Sequence, residues 1–87
     1  MNMPSGSAPA PGPFALAIAA EIRQAMARRM VSGAELARMT GRSQSYLSKR
    51  LRGDSALTAN DVADICRVLG EDLETLLVTA VRASRRP

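Results

Sequence analysis

The chain has 87 residues and a formal net charge of +4, with no His and one Cys. This length supports one domain with a modest core, and the composition excludes a histidine acid/base catalyst, a structural zinc site and an internal disulfide. Hydrophobic residues make up 46% of the chain but aromatic residues only 2%, a mixture that favours helices over strands.

The charges are divided unequally along the chain. Residues 21–52 carry eight Arg or Lys and two acids, whereas residues 54–74 carry six acids and one Arg. Such a division predicts a molecule with a basic side and an acidic side. The basic side is a natural partner for phosphate groups.

The two ends differ in composition from the middle of the chain. Four of the five prolines fall within residues 1–13, with Ser, Gly and Ala between them, which predicts a disordered tail. The apolar run at 14–20 is too short to span a bilayer and predicts neither a membrane anchor nor a signal peptide. Helical patterns cover residues 14–84 as one domain, and residues 85–87 form a short basic C-terminal end.

Apolar spacing predicts the first helix. Ile18 and Ile22 begin a series of apolar residues four apart, which indicates a helix from about Phe14 to Met30. Three methionines at helical spacing are interpreted as core residues, namely Met26, Met30 and Met39.

Capping signals predict the second and third helices. Ser32 and Glu35 have the spacing of a capping box, in which each side chain accepts a hydrogen bond from the other's backbone N–H. The second helix begins there and ends at Gly41, since glycine readily adopts the left-handed conformation that closes many helices. Ser43 is the next plausible cap and opens a third helix that runs to about Leu51.

The same reasoning predicts a fourth and a fifth helix. Thr58 and Asp61 repeat the capping-box spacing, and the helix that follows is stopped by Gly70. Asp72 can cap the fifth helix, whose apolar pattern runs to about Ser84. Together these signals predict an all-α domain of five helices.

Residues 32–53 have the spacing of a helix-turn-helix motif. Ala37 is small where two helices would cross, Gly41 makes the turn, and Leu47 packs the second helix of the motif onto the first. The stretch resembles the helix-turn-helix of the lambda repressor and Cro-like family, also called the XRE family. The resemblance extends over roughly residues 16–80 and implies a compact, five-helix, lambda repressor-like fold, with the third helix in the major groove of DNA.

The resemblance assigns DNA contacts to the third helix and its flanks. Carried over by position, the base-reading candidates are Gln44, Ser45 and Lys49, because Gln can bind adenine bidentately and Lys can reach the acceptors of guanine. The phosphate-binding candidates are Arg42, Ser43, Arg50 and Arg52. Tyr46 either touches DNA or packs its ring.

Four positions depart from the family pattern, and two of them, Thr40 and Arg42, replace commonly apolar residues. Gly33 stands where many members have a Gln that braces the first base-reading side chain, so Gln44 is less constrained here. Arg50 occupies a position that is usually apolar. We infer that Leu51 takes over the packing and that Arg50 is released to solvent or phosphate.

These features predict a sequence-specific regulator of transcription that binds double-stranded DNA, and not an enzyme. We expect a repressor that occupies its operator, without cofactor, metal or membrane contact, in the cytoplasm and associated with the nucleoid. One recognition helix reads few base pairs, so a homodimer is expected. The fifth helix offers the apolar residues for it, namely Leu76, Leu77, Val78, Ala80 and Val81.

Two alternative functions remain open. An antitoxin would use the same fold to bind its operator and would also bind a toxin protein, through the Pro-rich tail or the acidic helices. A protein-interaction adaptor would never bring its third helix to DNA. The clustered positive charge argues against the adaptor.

Overall fold

A computed structural model describes residues 10–86 and shows five α-helices and no strand in that part of the chain. The helices are α1 (Pro13–Arg29), α2 (Gly33–Thr40), α3 (Gln44–Leu51), α4 (Ala59–Leu69) and α5 (Leu73–Ser84). The predicted all-α, five-helix fold is confirmed. Most of the predicted N-terminal tail, residues 1–9, lies outside the described residues, as does residue 87 of the basic end.

Local side-chain chemistry sets the beginnings of the helices. Ser32 Oγ accepts a hydrogen bond from the Glu35 N–H at 3.1 Å, and Glu35 Oε1 accepts one from the Ser32 N–H at 3.0 Å. Thr58 and Asp61 form the same reciprocal pair at the start of α4, and Asp72 accepts from the Thr75 N–H at the start of α5. These bonds occupy backbone N–H groups that have no partner within the helix.

The ends of α1 and α2 show two ways to close a helix. Gly41 ends α2 in the left-handed conformation with φ 68°, as glycine does without a steric penalty. Met30 ends α1 with φ 55° and is 89% exposed, although it is not a glycine. The prediction that Met30 and Met39 fill the core is wrong, because both are exposed, while Met26 is buried as expected.

The core lies where the five helices meet. Ile22 of α1, Leu36 of α2, Leu47 of α3 and Ile65 of α4 are fully buried in one cluster, which α5 joins through its buried Ala80. Each large apolar side chain contributes about 1.5–3 kcal/mol by leaving water. Because each helix buries only part of its surface, its remaining face is free for other contacts.

Among residues 10–86, none of the helices combines the length and apolarity needed to cross a membrane.

Candidate nucleic-acid interface

The turn between α2 and α3 sets the angle between these two helices. Ala37 is 4% exposed at this junction, and Leu47 is fully buried beneath it. The Arg42 N–H donates to the Ala37 carbonyl at 2.9 Å, which folds the chain back just after Gly41. A small side chain at residue 37 and a left-handed glycine at residue 41 therefore bring the two helices close together.

The two faces of α3 have opposite character. Leu47 and Leu51 point into the core, and Ser43 caps the helix by accepting from the Tyr46 N–H at 3.1 Å. Polar side chains line a shallow recess on the outer side, namely Gln44, Ser45, Ser48, Lys49 and Arg52. The structure thus brings the three predicted base-reading residues together on one exposed face, and α3 presents that face to solvent.

Arg42 is held inside the domain. Its Nε donates to Asp61 Oδ1 at 2.7 Å, its Nη2 donates to Asp64 Oδ2 at 3.0 Å, and its Nη1 donates to the Thr40 carbonyl at 2.9 Å. Hydrogen bonds to the two carboxylates raise the pKa of the Arg42 guanidinium above its usual value. This arrangement differs from that of a free phosphate-binding arginine, because the charge is already paired with acids.

Tyr46 and Arg50 pack together on the flank of α3. The Tyr46 hydroxyl donates to Asp61 Oδ2 at 2.8 Å, and the guanidinium carbon of Arg50 lies 3.6 Å from the centre of the Tyr46 ring. Arg50 Nη1 also donates to the Tyr46 carbonyl at 3.2 Å, and Arg50 Nε is buried with no hydrogen-bond partner among residues 10–86. Arg50 is therefore a half-buried stacking partner of Tyr46 rather than a side chain released to solvent, while Leu51 takes the buried position.

Arg52 lies at the end of α3 and remains accessible. Its side chain is 62% exposed and donates through Nε and Nη2 to Asp54 Oδ2, at 3.0 and 2.8 Å. An exposed pair of this kind contributes little to stability, so the guanidinium can exchange Asp54 for another anion at small cost.

Asp61 is a site residue that the sequence did not reveal. It is 2% exposed, and its carboxylate accepts hydrogen bonds from Arg42, from Tyr46 and from the Thr58 N–H. Burial raises the pKa of the Asp61 carboxyl, but the donated hydrogen bonds lower it by more, so it lies below its usual value. The capping spacing of Thr58 and Asp61 predicts the helix start and carries no signal for the two partners near α3.

Other basic side chains outside α3 are tied to the domain. Arg23 of α1 donates through Nη1 to the Leu51 carbonyl, the last residue of α3. Arg28 and Arg29 at the end of α1 both pair with Glu71, which lies between α4 and α5. On the helix-turn-helix itself, the outer face of α3 and Arg38 of α2 are exposed. Residues 10–86 contain no cluster of His, Cys, Asp or Glu suited to a metal ion.

A family model for helix-turn-helix domains matches residues 17–77. The chain belongs to the helix-turn-helix domain family. Two crystal structures of the clp gene regulator ClgR from Corynebacterium glutamicum are similar to this helix-turn-helix domain, each with 29% sequence identity. One has a TM-score of 0.73 over 79% of this chain and 90% of the ClgR chain, and the other 0.76 over 87% and 80%. No curated protein sequence matches the chain.

The match confirms the resemblance drawn from residues 32–53. The two helices of the motif are α2 and α3; α1 packs on α3, α4 packs on α2, and α5 packs on α1 and α4. The helix α3 is therefore the second helix of the motif. In proteins of this architecture, the second helix enters the major groove.

Proposed function

We propose that the protein is a sequence-specific regulator of transcription that binds double-stranded DNA and represses by occupying its operator. The observation that carries this proposal is the exposed polar face of α3, built from Gln44, Ser45 and Lys49 on a helix whose other face is buried. Similarity to ClgR, described as a clp gene regulator, supports a regulatory role. We propose no catalytic role for the chain.

The residues near α3 divide into three roles in this proposal. Gln44 and Lys49 read base edges, with Ser45 beside them, because amide and ammonium groups match the donor and acceptor pattern of the major groove. The proposed phosphate ligands are the exposed residues at the two ends of the helix, Ser43 and Arg52. Arg42, Tyr46 and Arg50 support α3 from behind, because their polar groups are largely paired within the domain.

The proposal is tested by selecting bound sequences from a random duplex pool at fixed salt, then measuring affinity for the best site between about 50 and 200 mM salt. We expect one enriched sequence family, and a slope of log affinity against log salt of roughly −3 to −4 per subunit, since each phosphate contact releases condensed counterions. A pool without enrichment together with a flat salt response would contradict DNA binding.

We further propose a homodimer formed through α5, in the cytoplasm and associated with the nucleoid. Leu76 and Ala80 are used in the core, whereas Val78 is 43% exposed and Val81 is half-buried. Val78 and Val81 are three residues apart and therefore lie on one face of α5, where a second copy would cover both. A two-fold dimer would carry two α3 helices and would double the number of base pairs read.

The antitoxin function is the second candidate. It requires a surface that binds a protein, and an open apolar groove of about 400 Å³ lies between α1, α4 and α5. Phe14, Val62, Leu73 and Leu77 contribute to its lining. A gene for a small toxin-like protein beside this one, and a stable complex between the two products, would favour this function over a regulator that acts alone.

A further inference from the structure

One buried carboxylate connects the start of α3 to α4. Asp61, in the first turn of α4, accepts a hydrogen bond from Arg42 on Oδ1 and from the Tyr46 hydroxyl on Oδ2. The Thr58 N–H also donates to Oδ2, at 2.9 Å, so the carboxylate is fixed to the backbone of its own helix. Asp61 is therefore a rigid anchor that accepts from the α2–α3 turn on Oδ1 and from the first turn of α3 on Oδ2.

The two partners of Asp61 lie on either side of the proposed base-reading residues. Arg42 precedes the Ser43 cap, and Tyr46 lies in the first turn of α3, so Gln44 and Ser45 stand between the two anchored residues. One fixed point in the turn before α3 and a second in its first turn restrain the position of the helix start and its rotation about its own axis. Asp61 of α4 thereby determines the direction in which Gln44 and Ser45 project.

Asp61 is the more buried of the two carboxylates that pair with Arg42; the other is Asp64. The Arg42 side chain is 18% exposed and that of Asp61 is 3% exposed, so the pair is shielded from water. Without Asp61, Arg42 would keep only Asp64 as a charged partner, and Asp64 is 39% exposed, so water weakens that pair and the guanidinium can exchange Asp64 for another anion. Near bound DNA the available anion is a phosphate, and a phosphate contact strengthens binding to every sequence alike.

We propose that Asp61 is a positioning residue for sequence reading: it orients the start of α3 and withholds Arg42 from the phosphate backbone. This inference rests on the proposed DNA-binding function. It assigns to Asp61 a part in discrimination between sequences that is separate from its part in capping α4. Loss of the carboxylate should therefore raise the affinity for random DNA and lower the affinity for the specific site.

The test compares Asp61→Asn with Asp54→Asn in the full-length protein, using the best selected duplex and a random duplex of equal length. Each variant removes one carboxylate from an arginine pair and changes the net charge by the same amount. Asp61→Asn should raise affinity for random DNA about threefold, because Arg42 then keeps only its pair with the partly exposed Asp64 and can exchange it for a phosphate. The same variant should lower the ratio of specific to random affinity about tenfold, the scale of one lost base contact.

The Asp54→Asn control should raise both affinities alike and leave the ratio unchanged. A purely structural role for Asp61 would reduce the folded fraction and weaken both affinities equally, again without changing the ratio. Asp61→Asn protein that is folded by circular dichroism and keeps the wild-type ratio would overturn the inference. Wild-type protein that does not distinguish the two duplexes would instead refute the proposed function.

Tyr46→Phe is the second variant, for the case that Asp61→Asn does not fold. This change removes the hydroxyl that donates to Asp61 and leaves the ring beneath Arg50. We expect the ratio of specific to random affinity to fall about threefold, with Arg42 still paired and random binding unchanged. An unchanged ratio in Tyr46→Phe would overturn the inference.

Discussion

Gln44 and Arg52 have different roles in the proposed binding of DNA, although both lie on the exposed face of α3. A neutral amide can pair with a base edge, whereas an exposed guanidinium is attracted to any phosphate. Gln44→Ala should therefore relax the preference at one base position by about 1–3 kcal/mol. Arg52→Ala should weaken all sequences to the same extent.

The measurement is a comparison of binding to the selected site and to single-base variants of it at constant salt. If both variants kept the wild-type order of preference, the assignment of α3 as the reading helix would be wrong. The matched comparison is informative because neither side chain supports the core, so both variants should melt like the wild type.

Asp61 also makes the stability of the domain depend on pH. Its pKa is lowered in the folded state, so the folded carboxylate binds a proton less readily than the unfolded one. The resulting stability is present above the unfolded pKa of about 3.9 and is lost as pH falls through the folded value. Urea unfolding at decreasing pH should show the free energy of unfolding dropping below about pH 4.

Asp61→Asn is the control for this pH effect. It should be less stable than the wild type at neutral pH, because Arg42 loses its buried partner. Its stability should then fall less steeply with acid, with Glu35 and Asp72 still contributing because their pKa values are also lowered. Parallel curves for the two proteins would mean that Asp61 does not carry the effect.

At the scale of the elements, the crossing of α2 and α3 depends on one small residue. Ala37 is buried where the two helices meet, and extra methylene groups there must push the helices apart. Ala37→Leu should lower the free energy of unfolding by about 1–3 kcal/mol or more. For a domain of this size, that corresponds to a fall in melting temperature of at least about 4–8 °C.

Ala34→Leu is the matched control, since Ala34 lies on the same helix and is exposed. It should melt close to the wild-type temperature, because Leu and Ala have similar helix propensities. Thermal unfolding followed by circular dichroism would separate the two variants. Equal melting temperatures would place Ala37 away from the crossing.

The helices and their limits could be predicted from the sequence because the responsible contacts are local. A capping box joins residues three apart, as in Ser32 and Glu35, and a closing glycine acts within one turn. The link from Arg42 to Asp61 joins residues 19 apart, and no periodicity encodes such a pair. Arg50 is likewise not released to solvent, because the Tyr46 ring on which it stacks is held by a hydrogen bond to Asp61, 15 residues away in sequence.

At the scale of the whole molecule, α5 forms the interface of the proposed homodimer. Val78 and Val81 are apolar and not fully covered, and a second copy would bury them. Two-fold pairing should place the α3 helices about 34 Å apart, so half-sites should repeat at about 10 base pairs. Sedimentation should show a dimer for the wild type and a shift to monomer for Val78→Glu and Val81→Glu.

Thr79→Glu provides the charge control, because Thr79 is exposed on the same helix and points to another side. It should sediment like the wild type. One protein subunit on each selected site, or dimers that tolerate both valine substitutions, would exclude α5 as the interface.

The two-faced construction of α3 also bears on how such a protein changes over evolutionary time. Folding of this helix depends on Leu47 and Leu51, whereas Gln44, Ser45 and Lys49 lie on the outside. Mutations at the three outer positions can therefore accumulate without loss of the fold, and duplicated genes can acquire new targets on an unchanged scaffold. A library randomised at these three positions should consist mostly of folded proteins.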